Sequence, residues 1–469
     1  MSRNLSSNGR GRRPYEPMAL TRQAFGQVSK HPRVGLNTRA PLVPTAVVEQ
    51  IDGCEVGALI HQFGSPLFVV SEARLRQEFR DFRRAFRALY PKTDVAYSYK
   101  TNYLSAVRAL LHEEGAWAEV VSGLEYEMAR RLGVPGSRVI FNGPGKSQED
   151  LRRAVHDGAL INLDNFDELS LLEEVACEEG KVPTVGIRVT AAVTSAPWGK
   201  FGFSLEAGLA EEACRRLIAS RSVRLGALHV HLGTDLPDPG VFRDLLKLLL
   251  PLMDRLERRH RVRWQVLDLG GGFPNRHRYA ALRPGVDVEE VFPSFAQAIV
   301  RPLTSALRRL RSRPRLLLEP GRAVVEHAVF LLTSVTAVKR LPCGAKAAIL
   351  DAGVNLLPTA YYSALDIAPT EPSPLSVEEV TLFGPLCMQV DCVGAGLLLP
   401  PLHRGSHLAV KNCGAYTNSQ SIQFIQPRPP AVWVSEGGAE VVRESEGVED
   451  FVGRDRLPAP TRRAVAKGR

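Results

Sequence analysis

Four short stretches of this chain set reactive side chains beside strand-like runs. The first is Tyr97-Ser98-Tyr99-Lys100-Thr101-Asn102. A lysine at the inner end of a buried strand can be desolvated, and its amine can then condense with an aldehyde as a Schiff base. Standing alone, such a lysine is more often a solvated residue that opens a loop. The second is Ala227-Leu228-His229-Val230-His231-Leu232-Gly233-Thr234-Asp235. Period-two alternation puts His229 and His231 on one face, where an imidazole can stack on a flat ring, and the three apolar residues on the other. Paired strand histidines can equally be structural. A zinc site needs further ligands, none is evident nearby, and no metal is expected. The third is Leu267-Asp268-Leu269-Gly270-Gly271-Gly272-Phe273-Pro274. Glycines just past a strand leave bare backbone N–H groups that can cradle a phosphate, or they form only a turn. The spacing is not that of a dinucleotide-binding fingerprint. The fourth is Leu318-Glu319-Pro320-Gly321-Arg322. Its carboxylate can pair with a protonated ring nitrogen and its arginine can clamp a phosphate, or the two make a plain ion pair at a turn.

The elements that must carry these residues follow a beat. Strand patterns are predicted at Val95–Tyr99, Trp117–Val121, Arg138–Asn142, Leu160–Leu163, Thr184–Val189, Ala227–Leu232, Gln265–Leu269 and Arg315–Glu319. Amphipathic helical patterns lie among them, for instance Glu72–Leu89, Glu125–Leu132, Leu205–Ser220, Phe242–Arg259 and Pro293–Leu310. Eight β units, each followed by a helix or connection, predict an α/β fold with a (β/α)8 barrel. After about residue 325, runs at Ala328–Val338, Ala347–Leu350, Thr381–Phe383, Ser406–Val410 and Val432–Val434 come without long helical intervals, which predicts a mostly antiparallel C-terminal β domain. The expected organisation is a basic tail over 1–45, a lead-in segment over 46–71 packing with the β domain, the barrel over 72–325, the β domain over 326–452 and a second basic tail over 453–469. A barrel of this kind carries its active site at the C-terminal ends of its strands, with phosphate sites favoured after strands seven and eight. The four strand ends together supply an amine, a stacking imidazole, a phosphate cradle and an acid for a pyridinium nitrogen. Those are the needs of pyridoxal 5′-phosphate, an electron sink for carbanions at an amino acid's α-carbon.

Composition sets outer limits. The chain has 469 residues, 44% hydrophobic and 23% charged, long enough to bury a core without disulfide staples. Seven scattered cysteines with no CxxC argue for a reducing compartment, and no apolar stretch suits a secretory signal or a membrane span, so a cytoplasmic protein is expected. The net charge of +10 sits in the tails, with eight Lys/Arg against one Glu in 1–45 and six against one Asp in 453–469, leaving the body near −2. A basic groove on a folded domain, and with it a nucleic-acid partner, is therefore not expected.

With these residues in place, the sequence resembles the fold-type III pyridoxal phosphate decarboxylases, the group of diaminopimelate, ornithine and arginine decarboxylases and their relatives in specialised pathways. The shared stretches are YSYKTN around Lys100, HVHLGTD around His231, LDLGGGFP around Gly271, EPGR at Glu319–Arg322, GPLCMQVD at Gly384–Asp391, CGAYT at Cys413–Thr417 and the loop Trp198-Gly199-Lys200-Phe201-Gly202. The resemblance spans roughly residues 50–435 and implies an alanine racemase-like fold and specific roles. Lys100 would carry the cofactor and His231 would stack on its ring. Gly271, Gly272, Gly321 and Arg322 would hold its phosphate, with Tyr416 reaching it from the β domain, and Glu319 would pair with its ring nitrogen. Cys387 would return a proton after carbon dioxide leaves, and Asp391 would orient its loop. A homodimer is implied in which the partner supplies the cysteine loop. Arg322, Tyr362, Met388, Asp391 and Tyr416 are the substrate-contacting candidates.

The sequence departs from those relatives where the substrate's distal end would bind. Diaminopimelate and ornithine decarboxylases carry an acid after the cysteine, and this chain carries Met388. The segment Asp351–Tyr362 holds no arginine, although Tyr362 matches the tyrosine that ends the family motif. A modified or conjugated amino acid, free or carrier-bound, is expected in place of meso-diaminopimelate, unless another residue such as Asp366 supplies the charge. An amino-acid racemase and a non-catalytic binding protein are the other readings. Racemases of this type face the pyridine nitrogen with arginine where this chain has Glu319. Binding relatives tend to lose the lysine or the cysteine, and both are present.

Overall fold

The computed structural model describes residues 46–194 and 198–459; the two basic tails lie outside it apart from residues 453–459. Eight parallel strands close on themselves: Thr93–Ser98, Trp117–Val120, Val139–Phe141, Leu160–Leu163, Thr184–Thr190, Arg224–Val230, Val266–Asp268 and Arg315–Leu318. Each pairs with its neighbours in that order, and Leu316–Leu318 against Thr93–Val95 completes the ring. The strands are apolar on both faces, as a sheet covered by helices outside and filled inside requires.

Inside, the alternation of side chains builds two layers. The lower layer is apolar: Ala96, Ile140 and Leu317, with Trp117, Leu160 and Val266 against them. Two residues further along each of those strands stands a polar side chain, namely Ser98, Asn142, Glu319, Glu119, Asn162 and Asp268. The period of two therefore lifts every polar residue to the same height, at the C-terminal mouth.

The helices match the predicted positions to within a few residues, with one difference of principle. Strand eight is followed only by a single turn, Arg322–Val325, and has no barrel helix of its own. The place in the ring is filled by Glu72–Arg87, which precedes strand one. Ser71 caps that helix by accepting the Arg74 N–H at 3.2 Å. Its buried Leu75, Phe79, Phe82 and Phe86 recur at helical spacing. Phe82 meets Phe273 and Phe292 edge-on, with ring centroids 4.9 and 5.2 Å away. The helix before the last strand runs Val288–Ala306, not Pro293–Leu310; Asp287 caps it by accepting the Glu289 N–H, and its prolines lie inside.

The β domain is a mostly antiparallel sheet built on the long strand Val329–Arg340. The lead-in strand Leu67–Ser71 lies antiparallel to it and parallel to Ala431–Ser435, so both ends of the chain close the same sheet. Strands Asp366–Pro369, Cys392–Leu399 and Gly438–Arg443 have no counterpart among the predicted runs. All seven cysteines are free thiols. Among the described residues no helix is long and apolar enough to cross a membrane.

One expectation is overturned. The body does carry a concentrated basic surface, a basin at the N-terminal end of the barrel lined by Arg261, Arg263, Arg311, Arg313 and Arg315. A net charge near zero averages over the body and hides this segregation.

Candidate active site

A cavity of about 470 Å³ opens at the C-terminal mouth of the barrel, against the β domain. Lys100, His231, Glu319, Arg322, Tyr362 and Tyr416 all line it, drawn from strands one, six and eight and from two loops of the β domain. Lys100 donates to the Glu119 carboxylate at 2.6 Å and to Ser98 Oγ at 2.7 Å. Burial alone would depress its ammonium, but Glu119, with Tyr416 and Glu319 beyond it, more than offsets this, and the net shift is upward. The loop after strand one is clasped from the β domain. Ser419 donates to the Lys100 carbonyl at 2.7 Å, Asn102 donates to the Gly414 carbonyl at 3.0 Å, and the Tyr416 N–H bonds the Thr101 carbonyl at 2.9 Å.

Beneath Lys100 the acids form a connected base. Asn142 donates to Glu319 at 2.6 Å and to Glu119 at 3.1 Å, and Asn162 donates to Asn142 at 2.9 Å. Ligand atoms of His229, Asp268 and Glu319 lie within 4.8 Å of one another, all buried. Burial and the neighbouring Glu319 push Asp268 well up; burial would do the same to Glu319, but His229, Lys100 and the Asp268 hydroxyl bring it down. The two carboxyls therefore share a proton, and the surroundings favour the negative charge on Glu319. Burial, and then the Lys100 charge, lower His231 to about 3, so its imidazole is neutral. Its Nδ1 accepts the Gly271 N–H at 3.0 Å, which leaves the ring proton on Nε2.

That bond corrects one expected role. The Gly271 N–H is taken by His231 and is not free for a phosphate. Gly271 and Gly272 act by close approach. A Cβ on Gly271 would stand 2.5 Å from the Glu319 carbonyl oxygen, and one on Gly272 would stand 2.8 Å from the Gly233 carbonyl oxygen. A Cβ on Gly321 would likewise stand 2.1 Å from Thr101 Oγ1. Buried Arg322 pairs with Glu326 through Nη1, lies over the Tyr416 ring at 5.5 Å, and keeps Nε without a partner. His229 Nδ1 and Thr101 Oγ1 are likewise buried without hydrogen-bond partners, whereas His229 Nε2 lies 3.5 Å from Glu319 Oε2. A ring-bearing phosphate would answer this set: an orphan arginine donor among glycines at one end, an ionised carboxylate at the other and a neutral imidazole between.

Cys387, Met388 and Asp391 are not brought to this cavity. Cys387 is exposed, and Met388 packs with Val354, Ala360, Leu365 and Leu386 in a small apolar cluster. Asp391 holds the cysteine loop in place. It is buried, and its carboxylate accepts the Val354 N–H at 2.8 Å and the Leu386 N–H at 2.7 Å, which ties the cysteine loop to the segment Asp351–Tyr362. Asp366 pairs with Lys411 at 3.1 Å.

The motif reading passed over Glu119, Asn142 and Arg188, which line the cavity. The available signal was one polar residue at the inward position of each apolar strand.

Residues 72–326 match the family described as the pyridoxal-dependent decarboxylase, pyridoxal binding domain. The diaminopimelate decarboxylase of Methanothermobacter thermautotrophicus is 31% identical over 420 residues, which are 87% of this chain and 96% of that protein. This chain belongs to the pyridoxal-dependent decarboxylases. The diaminopimelate decarboxylase of Bacillus subtilis is also 31% identical, over 431 residues, with 88% of this chain and 96% of that protein covered. The crystal structure of the diaminopimelate decarboxylase of M. jannaschii superposes with a TM-score of 0.81 at 28% identity, covering 89% of this chain and 98% of that one. The cofactor of this decarboxylase is pyridoxal phosphate, and the glycine-and-arginine cradle beside ionised Glu319 fits it.

Proposed function

We propose that this decarboxylase acts on an amino acid, or an amino-acid conjugate, whose distal end carries no ammonium–carboxylate pair. The observation that carries the reading is the apolar setting of Met388, beside Val354, Ala360, Leu365 and Leu386, on the cysteine loop that in this reading serves the partner's site, where an acid and an arginine would be needed for meso-diaminopimelate. Asp366, the other candidate for the missing charge, is engaged by Lys411. Leaving two charges unpaired in a closed site would cost several kcal/mol.

Bound pyridoxal phosphate supplies the electron sink for the charge left at the α-carbon when carbon dioxide departs. In this reading Lys100 Nζ holds the cofactor, Glu319 holds a proton at the ring nitrogen, and neutral His231 supports the ring face. Arg322 grips the phosphate, and the glycine loops leave it room. Cys387 returns the proton to the α-carbon. In this reading the thiol comes from a second copy in a homodimer with shared sites, in keeping with a cavity that no residue between 363 and 415 of its own chain lines.

A panel of α-amino acids and conjugates scored by carbon dioxide release tests the substrate class. Diaminopimelate is expected to turn over at least about 100-fold less efficiently than the best substrate, the effect of about 3 kcal/mol. Diaminopimelate as the best substrate by a wide margin would overturn the reading.

A further inference from the structure

At the end of the barrel away from the active site, two arginine-rich stretches lie side by side. One, Glu257-Arg258-Arg259-His260-Arg261-Val262-Arg263-Trp264, closes the helix Gly240–His260; the other, Arg308-Arg309-Leu310-Arg311-Ser312-Arg313-Pro314-Arg315, leads into strand eight. Both alternate. Val262, Trp264, Leu310 and Pro314 are buried, and Arg261, Arg263, Arg311 and Arg313 are exposed on the same basin. The stretches are laced together. Glu257 accepts the N–H groups of Arg311 at 2.8 Å and Ser312 at 2.7 Å, and the Trp264 N–H reaches Ser312 Oγ at 3.0 Å. The basin encloses about 1280 Å³ and reaches the starts of the strands at Thr184, Ala227 and Val266.

Part of this charge has a structural explanation. The barrel helices point their C-termini at this end, and cations complement those dipoles. Lys181 donates to the His156 carbonyl at 2.9 Å and Arg313 to the Leu310 carbonyl at 2.7 Å; Lys92 bonds the Arg313 carbonyl, and Arg315 pairs with Asp94. Arg261, Arg263 and Arg311 remain. Their guanidinium groups have no hydrogen-bond or ion-pair partner among the described residues, and the lining's one carboxylate, Glu257, is committed to backbone. Arg261 also stands at φ 57°, a left-handed helix end where glycine is favoured, so a side chain is kept there against local preference. Unpaired like charges around a low-dielectric bowl repel one another and focus anions.

We propose that this basin is a binding site for a compact polyphosphate, a ligand of three or more linked phosphates such as a nucleoside triphosphate. Guanidinium forks match phosphate oxygens two at a time, and three unpaired forks around one bowl suit a ligand with several adjacent phosphates. A recessed bowl suits a compact anion over a long strand lying across the surface. The basin reaches Ala227 and the active-site cavity begins at His229, about 7 Å further along the same strand, and the apolar layer of Ala96, Ile140 and Leu317 lies across the barrel interior, so the site is separate from the pyridoxal phosphate cavity.

The test is calorimetric titration of the full-length holoenzyme with inorganic tripolyphosphate, with ATP and with inorganic phosphate. The same titrations are run on the variant Arg261→Gln/Arg263→Gln/Arg311→Gln, which carries the same basic tails, so that tail binding cancels. Tripolyphosphate is expected to bind saturably at one site per chain, with single phosphate at least tenfold weaker and the variant at least tenfold weaker. Equal binding of ATP and tripolyphosphate would mean that the phosphates alone are read, and tighter ATP that the nucleoside is read as well. A retained visible cofactor band shows the variant to be folded; if it is lost, Arg263→Gln alone carries the comparison. No saturable binding, or an unchanged affinity in the variant, overturns the proposal. So does a single-stranded oligonucleotide that binds through the same arginines more tightly than tripolyphosphate, which would make the basin a nucleic-acid surface.

Discussion

Cys387 and Lys100 sit in one chain but not in one cavity: the lysine lines the pocket and the thiol is exposed on the β domain. If a partner brings the thiol to the site, Cys387→Ala should slow product formation about 100-fold, the scale of a lost proton donor, while the visible absorption of the bound cofactor survives. Mixing inactive Lys100→Ala with Cys387→Ala should then restore activity, because a hybrid dimer regains one intact site. Unchanged turnover in Cys387→Ala, or no recovery on mixing, would remove the thiol from the reaction. Lys100, His231, Glu319 and Arg322 were legible in the sequence because each ends a strand with chemistry foreign to an apolar run. The proton held between Asp268 and Glu319 was not, since it depends on two strands distant in sequence meeting in a dry interior.

At the level of elements, the glycine loop after strand seven positions His231 through one backbone N–H and admits no side chain. Gly271→Ala should force its Cβ against the Glu319 carbonyl oxygen, 2.5 Å away, and cost about 1–3 kcal/mol of stability. It should also weaken cofactor binding. Denaturant midpoints and cofactor titration measure both, and a variant equal to the wild type in each would show that the loop has room. The eight barrel strands were legible because apolar β-branched runs recur between amphipathic stretches. The β-domain strand Cys392–Leu399 was not, for it reads Cys-Val-Gly-Ala-Gly-Leu-Leu-Leu, with neither alternation nor β-branched density. The origin of the eighth ring helix was hidden for another reason. Glu72–Arg87 has a clear helical pattern, but no local signal says that it replaces the helix missing after strand eight.

For the whole molecule, acid should be destabilising over a defined window. Burial, and then neighbouring charge, lower His231 to about 3 and His327 to about 4, from an ordinary 6.5. Below pH 6.5 the unfolded chain takes up protons at these positions and the folded chain does not, so stability falls as the pH drops toward 4. Each group contributes a slope of up to about 1.4 kcal/mol per pH unit. Denaturant unfolding of the cofactor-free protein across this range checks it, and His327→Gln should flatten the slope. A flat profile in the wild type would show that these imidazoles are not held neutral. The basic basin is legible in the sequence only in hindsight. Its two arginine stretches are some fifty residues apart, and the parallel pairing of strands seven and eight, into which they lead, makes them neighbours.

The most direct test of the account is where the cofactor attaches. Borohydride reduction of the holoenzyme followed by peptide mapping should place the pyridoxyl group on Lys100, and Lys100→Ala should lose both the label and the visible absorption. A label on another lysine, such as Lys146 or Lys200, or a Lys100→Ala protein that keeps a reducible visible band, would contradict it.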